Sequence, residues 1–302
     1  MTIDATAALL RSTFPDAARI SAPEYLRWLY EDSPSGSVIE ANLDDAQGRA
    51  GHYAVVPIGL VSDGVECSGA LSLNTAVDER ARGGGVFVRL ATEAIERAER
   101  QGVAMIVGVA NANSTPGFLG RLSFELVGPL PATVLVPAPW RRRGVRSAWA
   151  ADEAFAAGGV AADLGPLLVP PSRGLARTWT PEVLRWRLAA PGSRYALHRS
   201  EHALAVSAAD HSKVVPVAMV LKVFASEPLG AAERAALVGA ACRLHRAPLA
   251  LHVGINEMAG FRGPALPDRL RSSPLNLIVR RLEGAPPRPD IAHFEFLDFD
   301  AY

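Results

Sequence analysis

The six residues Arg80-Ala81-Arg82-Gly83-Gly84-Gly85 are the stretch of this chain best suited to hold a charged ligand. Three successive glycines let a backbone turn tightly and remove side chains that would keep a ligand at a distance. Apolar spacing that begins at Val86 predicts a helix directly after them. The first N–H groups of a helix lack intrahelical acceptors and lie at the positive end of its dipole, so this junction suits phosphate oxygens. Arg80 and Arg82 add positive charge. A P-loop would need Gly-Lys-Ser/Thr at the end of the turn, and none follows Gly85. A dinucleotide fingerprint would need a glycine where Val88 stands and an acidic residue where Asn111 ends the next strand. What remains is Arg-x-x-Gly-x-Gly over Arg80, Gly83 and Gly85.

The neighbouring elements must position that turn. Leu71, Leu73 and Val77 alternate with Ser72, Asn74 and Ala76, which predicts a strand over 69–77. After the turn, Phe87, Leu90, Ala91, Ala94, Ile95 and Ala98 share one helical face. Arg89, Glu93, Glu96, Arg97 and Arg100 share the other, and Gly102 suits the helix C-terminus. The run "VAMIVGVA" at 103–110 then reads as a strand buried on both faces.

This order resembles the GNAT superfamily of acyl-CoA-dependent acyltransferases over about residues 38–136. The resemblance rests on the Arg-x-x-Gly-x-Gly turn and on "NANSTPGFLGRLSFELVG" at 111–128, a polar strand end, a short helix and an aromatic-led strand. It implies acetyl-CoA or another acyl-CoA as donor substrate, no metal, and an amine of a small molecule as acceptor. The coenzyme A diphosphate would lie against Arg80, Arg82, Gly83, Gly84, Gly85, Val86 and Phe87. The pantetheine arm would enter a gap where two strands part, beside Ala76, Val77, Asn113 and Phe118. Backbone N–H groups around Ala76 and Val77 would polarise the thioester carbonyl, normally the largest catalytic contribution.

The family often uses a tyrosine within the block 113–124 to protonate the leaving thiolate; here Phe118 and Leu119 stand in its place. A thiol pKa of about 8.5 makes thiolate a tolerable leaving group. A missing acid then costs less than the usual roughly 10²–10⁴-fold. Ser114 or water can substitute. His52 and Glu66 are candidate bases, while Asn74 and Thr75 are placed to orient the acyl group. Two further readings stay open: a non-catalytic acyl-CoA-binding or scaffold module, and an acyltransferase with a carrier-protein donor or a hydroxyl acceptor.

The opening "PEYLRWLY" at Pro23 returns as "PEVLRWRL" at Pro181, and "MIVGVAN" at 105–111 returns as "LHVGIN" at 251–256. Order and spacing are kept, so the chain reads as an internal duplication. The expected architecture is two tandem GNAT-like α/β domains, each a mostly antiparallel mixed sheet flanked by helices. They span 1–140 and 175–302, with a Pro-, Gly- and Ala-rich linker at 141–174 holding one short helix around 149–157. The second copy keeps a helical pattern from Ala231 but has a single glycine and no arginine before it. It is expected to be degenerate, supporting the first copy and walling its substrate cleft. Trp28, Trp179 and Trp186 read as core anchors, and Arg141, Arg142, Arg143 and Arg146 as a solvated basic face.

With 302 residues, 49% apolar and 21% charged, the chain can bury a full core. Zero formal charge argues against a nucleic-acid partner. Cys67 and Cys242 have no CxxC spacing, which fits a reduced, cytoplasmic setting. Neither a basic-then-apolar leader nor an apolar run of membrane-spanning length is seen, so no membrane partner is expected. Oligomeric state, acyl length and the identity of the acceptor stay open. The pattern His198-x-x-Glu201-His202 matches a metalloprotease motif, but that chemistry needs a helix and the flanks read as strands. The tail "HFEFLDFDAY" reads as a final strand with one wet face carrying Asp298 and Asp300.

Overall fold

A computed structural model describes residues 3–138, 144–210, 215–271, 273–287 and 290–299. Arg141, Arg142, Arg143 and Asp300 lie outside the described residues. The chain folds into two compact α/β units.

In unit 1, α1 (Ile3–Thr13) and α2 (Pro23–Tyr30) precede a meander of β1 (Ile39–Asp45), β2 (Gly48–Ser62) and β3 (Val65–Val77). Pro23 opens α2 where a missing N–H costs nothing. Asp63 and Gly64, at φ 49° and 79°, close the β2–β3 hairpin with the left-handed turn that such a hairpin favours. The helix α3 (Val86–Arg100) crosses back, and β4 (Met105–Ala110) then pairs with β3 in parallel, from Gly69 against Met105 to Ser72 against Gly108. The short α4 (Thr115–Arg121) and β5 (Glu125–Pro129) follow. Leu90, Ala91, Ala94, Ile95 and Ala98 of α3 are buried, as their spacing predicts. Full burial of Leu90 or Ile95 contributes about 1.5–3 kcal/mol each.

The strand between β4 and β5 comes from far downstream. It is β13 (Asn276–Arg281), antiparallel to both, with Ile278 buried in the unit 1 core. In return, β6 (Ala132–Leu135) belongs to unit 2, where it lies antiparallel to β12 (Ala250–Asn256). Unit 1 comprises 1–129, 190–192 and 273–289; unit 2 comprises 130–189, 193–272 and 290–302. The compact units therefore differ from the linear blocks 1–140, 141–174 and 175–302. Strand pairing over long sequence separations draws them, and local composition carries no trace of it.

Unit 2 continues with β7 (Arg146–Trp149), α5 (Asp152–Phe155), β8 (Leu175–Arg177) and α6 (Pro181–Leu188). Thus part of the expected linker is a strand, paired with β9 (Ala196–Arg199). Thr180 caps α6 by accepting from the Val183 N–H at 3.1 Å. After β9 come β10 (Ala203–Asp210), β11 (Val217–Ala225), α7 (Ala231–His245), β12 and β14 (Ile291–Glu295). Trp28 and Trp179 are buried, but Trp186 is only half-buried. Next to it in α6, Arg187 is buried along with Val183, Leu184 and Leu188, and donates to the Tyr195 hydroxyl at 2.8 Å.

Candidate functional site

The strands β3 and β4 stop pairing after Ser72 and Gly108. Beyond that point lies a cavity of about 550 Å³. One wall is β3, through Ser72, Leu73, Asn74, Thr75 and Val77; the other is the end of β4 and its loop, through Val109, Asn111, Asn113 and Ser114. Phe87 of α3, Gly117 and Phe118 of α4, and Leu275 just before β13 complete it. Phe87 and Phe118 meet edge-on with centroids 5.4 Å apart.

A β-bulge shapes the β3 wall. His52 pairs with Ala76 and Ala54 with Leu73, so Asn74 and Thr75 together face the single residue Tyr53. Asn74 takes up the extra length at φ 50°, a left-handed value that asparagine tolerates better than most residues. The break in the ladder thus falls at Asn74–Thr75. Ala76 and Val77, where the backbone donors were expected, lie in regular register with His52 and Gly51, and Ala76 is buried.

At the mouth of α3, Gly83, Gly84 and Gly85 have φ 94°, 56° and 72°. A tight turn of this kind can gather backbone N–H groups into an anion-binding concavity. Gly85 immediately precedes the helix; the Val86 N–H bonds the Gly83 carbonyl at 3.3 Å, and the next first-turn N–H groups have no intrahelical acceptor. Val86 packs partly buried against the core. The arginines of the turn have partners. Arg80 Nε donates to Asp45 Oδ2 at 2.9 Å and its Nη1 lies 3.0 Å from Asp78 Oδ2; Arg82 Nη1 donates to Glu79 Oε1 at 3.2 Å. The bond from Arg80 holds the Asp45 carboxyl below its ordinary range. Expected free charge at the turn is therefore partly neutralised.

Neither candidate base reaches the cavity. Glu66 is exposed at the start of β3, eight residues before Asn74, or roughly 25 Å along a strand. His52 is wholly buried behind the bulge, with Nε2 3.0 Å from Tyr30 Oη and Nδ1 2.7 Å from Asn42 Oδ1. Burial, with Arg49 nearby, holds its pKa down at about 3. Glu40 Oε2 lies 3.5 Å from the same Nδ1 and has no hydrogen bond of its own. Ser114 does line the cavity, and its hydroxyl donates to Asn111 Oδ1 at 3.1 Å. Asn111 Oδ1 also accepts the N–H groups of Asn113 and Ser114, fixing the loop.

Sequence reasoning missed Tyr30, Asn111 and Leu275. The signal for Tyr30 was within the repeat, where the second copy has Leu188. Leu275 had none, because nothing local marks a strand lent across the chain. Two other signals resolve otherwise. His198 lies on strand β9, not on a helix, and bonds Ser147 and Ser207. Asp298 is fully buried, accepting from Trp179 Nε1 at 2.9 Å and Lys222 Nζ at 2.7 Å, so it is no wet-face carboxylate. The tail turns into a short 3₁₀ segment at Phe296–Asp298.

No protein-family model and no curated protein matches the chain. Solved structures do. A GCN5-related N-acetyltransferase from Anabaena variabilis superposes with a TM-score of 0.63 at 11% identity, over 92% of this chain and 70% of that one. One from Kribbella flavida gives 0.58 at 16%, over 93% and 68%. Saccharomyces cerevisiae N-myristoyltransferase with bound myristoyl-CoA gives 0.60 at 11%, over 92% and 79%. At these identities the likeness speaks for architecture: this chain has the GCN5-related N-acetyltransferase fold.

Proposed function

We propose that the chain is an acyltransferase that moves an acyl group from coenzyme A to an amine of a small molecule. The carrying observation is the cavity opened by the parting of β3 and β4, with a bulge on its wall at Asn74 and Thr75. The three left-handed glycines ahead of α3 suit the diphosphate, and the cavity suits the pantetheine arm and thioester. The donor is a substrate, and the residues present fit it: a glycine turn at the start of α3, and a slot whose apolar lining includes Phe87, Phe118 and Leu275.

Acyl transfer forms a C–N bond and breaks the C–S bond. A neutral amine attacks the thioester carbon, the oxygen takes up negative charge, and the thiolate leaves. The amine's surplus proton goes to water and the thiolate regains one from solvent. No residue lining the cavity is an acid or base with a pKa in the working range. Positioning and electrostatic stabilisation then supply the rate, each being able to contribute several kcal/mol.

That non-titrating lining also supports the second reading, a module that binds acyl-CoA without turnover. One experiment separates them. Acetyl-CoA is titrated into the protein by calorimetry, and thiol release is followed across a panel of primary amines. Binding with amine-dependent thiol release is expected. Binding without release favours the module, and absence of binding sinks both. Carrier-bound and hydroxyl substrates in the same panel test the remaining alternative. We place this activity in the cytoplasm, without a nucleic-acid or membrane partner. Among the described residues no helix is long and apolar enough to cross a membrane.

A further inference from the structure

A buried chain of hydrogen bonds ends at the cavity, and neither reading above uses it. Asn42 Oδ1 can only accept, so the 2.7 Å contact makes His52 Nδ1 the protonated nitrogen. In a neutral imidazole Nε2 must then accept, so the Tyr30 hydroxyl donates to it at 3.0 Å. The Tyr30 oxygen in turn accepts from Asn74 Nδ2 at 3.1 Å. Every direction in the series is determined by its far end. Tyr30 and His52 are wholly buried, whereas Asn74 lines the cavity.

An asparagine amide is planar, so holding its nitrogen against Tyr30 holds its oxygen on the other side. Among the described residues no donor reaches Asn74 Oδ1. We infer that Asn74 binds the reacting amine through this oxygen, and that Tyr30, His52 and Asn42 are positioning residues that keep the amide in that orientation. The inference rests on the proposed acyl transfer and names the acceptor-binding group of the same site.

The chemistry favours an amide here. A neutral amine needs an acceptor for one N–H so that its lone pair is aimed at the thioester carbon. A carboxylate would do this too, but it would stabilise the unreactive ammonium form. An uncharged oxygen aligns the amine and leaves it nucleophilic. Reversed, the amide would present N–H groups, which compete for the same lone pair.

The test uses the full chain with acetyl-CoA and, as amine probes, hydroxylamine and benzylamine, read by thiol release. Tyr30→Phe is expected to lower kcat/KM for the amine about tenfold, through KM for the amine, with the calorimetric Kd for acetyl-CoA unchanged. Asn74→Gly, which keeps the left-handed backbone, should lose about a hundredfold. Tyr30→Phe added to Asn74→Gly should then cost nothing more. Should Tyr30→Phe not fold, His52→Leu carries the same expectation, and His52→Gln, which restores an acceptor for Tyr30, should recover wild-type values. Losses that multiply in the double variant overturn the inference. So does a loss in acetyl-CoA affinity equal to that for amine, or equal behaviour of His52→Leu and His52→Gln. Acetyl-CoA binding without turnover of any amine overturns it as well, whereas no acetyl-CoA binding by the wild type overturns the proposed function itself.

Discussion

Two pairs of parallel strands in this molecule start alike and end differently. In unit 1, β3 and β4 pair over four residues and part around a cavity. In unit 2, β11 and β12 pair over three, from Ala218 against Ala250 to Val220 against His252. Past that point β12 takes β14 as its antiparallel partner, from Gly254 against Glu295 to Asn256 against His293. Glu295 bridges the parting strands, accepting from the Val223 N–H of β11 at 3.4 Å and from Asn256 Nδ2 of β12 at 2.8 Å. Gly254 permits this approach, since a Cβ there would lie 2.3 Å from the Phe294 oxygen. Its counterpart Gly108 meets nothing closer than 3.4 Å.

The wedge in unit 2 is thus filled by the chain itself. Its filling is charged: Lys222 lies 2.7 Å from Asp298 and 3.2 Å from Glu295, all three being buried. Burial alone would lower the Lys222 pKa, but Asp298 and Glu295 outweigh it and the net shift is upward. Burial would likewise raise Glu295, yet Lys222 and His252 bring it below its ordinary value. Unit 2 also lacks the glycine turn; Gly230 alone precedes α7, at an ordinary φ of −68°. The parallel strand pair is open in unit 1 and filled in unit 2. The glycine turn and the open cleft occur together in unit 1, whereas unit 2 has a single glycine before α7 and a filled strand gap.

The comparison can be broken most forcefully in β13. Ile278→Asp puts an unpaired carboxylate into the unit 1 core, where Ile278 is 1% exposed. It should cost at least about 4 kcal/mol and abolish acetyl-CoA binding, read by melting and calorimetry. Retained binding would show that the lent strand does not complete the site.

Next in size is Lys222→Met, which leaves Glu295 and Asp298 without their cation. A loss of about 3–5 kcal/mol in denaturant unfolding is expected. The wild type should bind one coenzyme A per chain. A stoichiometry of two would contradict the filled wedge.

Acid should act on both units through buried histidines, His52 in unit 1 and His198 in unit 2, with the pKa of His293 in unit 2 also held down by burial. His52 and His198 are held neutral, each with its pKa pushed down to about 3 by burial. The unfolded chain binds these protons near the ordinary histidine value, so stability present above about pH 6.5 is lost as the pH falls. Between pH 7.5 and 5.5 the loss is about 1.4 kcal/mol per histidine, measurable by urea unfolding. Unit 2 should weaken further below about pH 4.5, as Glu295 is protonated, and above about pH 10.5, as Lys222 loses its proton.

The smallest effect belongs to the turn's own arginines. Because Arg80 and Arg82 already have carboxylate partners, Arg80→Ala or Arg82→Ala should weaken coenzyme A binding less than about threefold. A larger loss would assign the anion site to side chains instead of backbone.

Several features were legible in the residues alone, because their causes are local. The α3 stripe from Leu90 to Ala98, the existence of β3 and the three glycines between them each follow from periodicity or from φ preferences, whereas the bulge at Asn74–Thr75 breaks the alternation expected along β3. That "PEYLRWLY" and "PEVLRWRL" form the same short helix was legible too, since equal sequences repeat equal local rules. The tertiary structure alone decided the rest. Exchange of β13 and β6 joins residues more than a hundred positions apart, and hydrogen bonds between backbones carry no residue label. His52 looked like a base because its chemistry is written in its side chain. Burial, which withdraws that chemistry, is a property of what surrounds it.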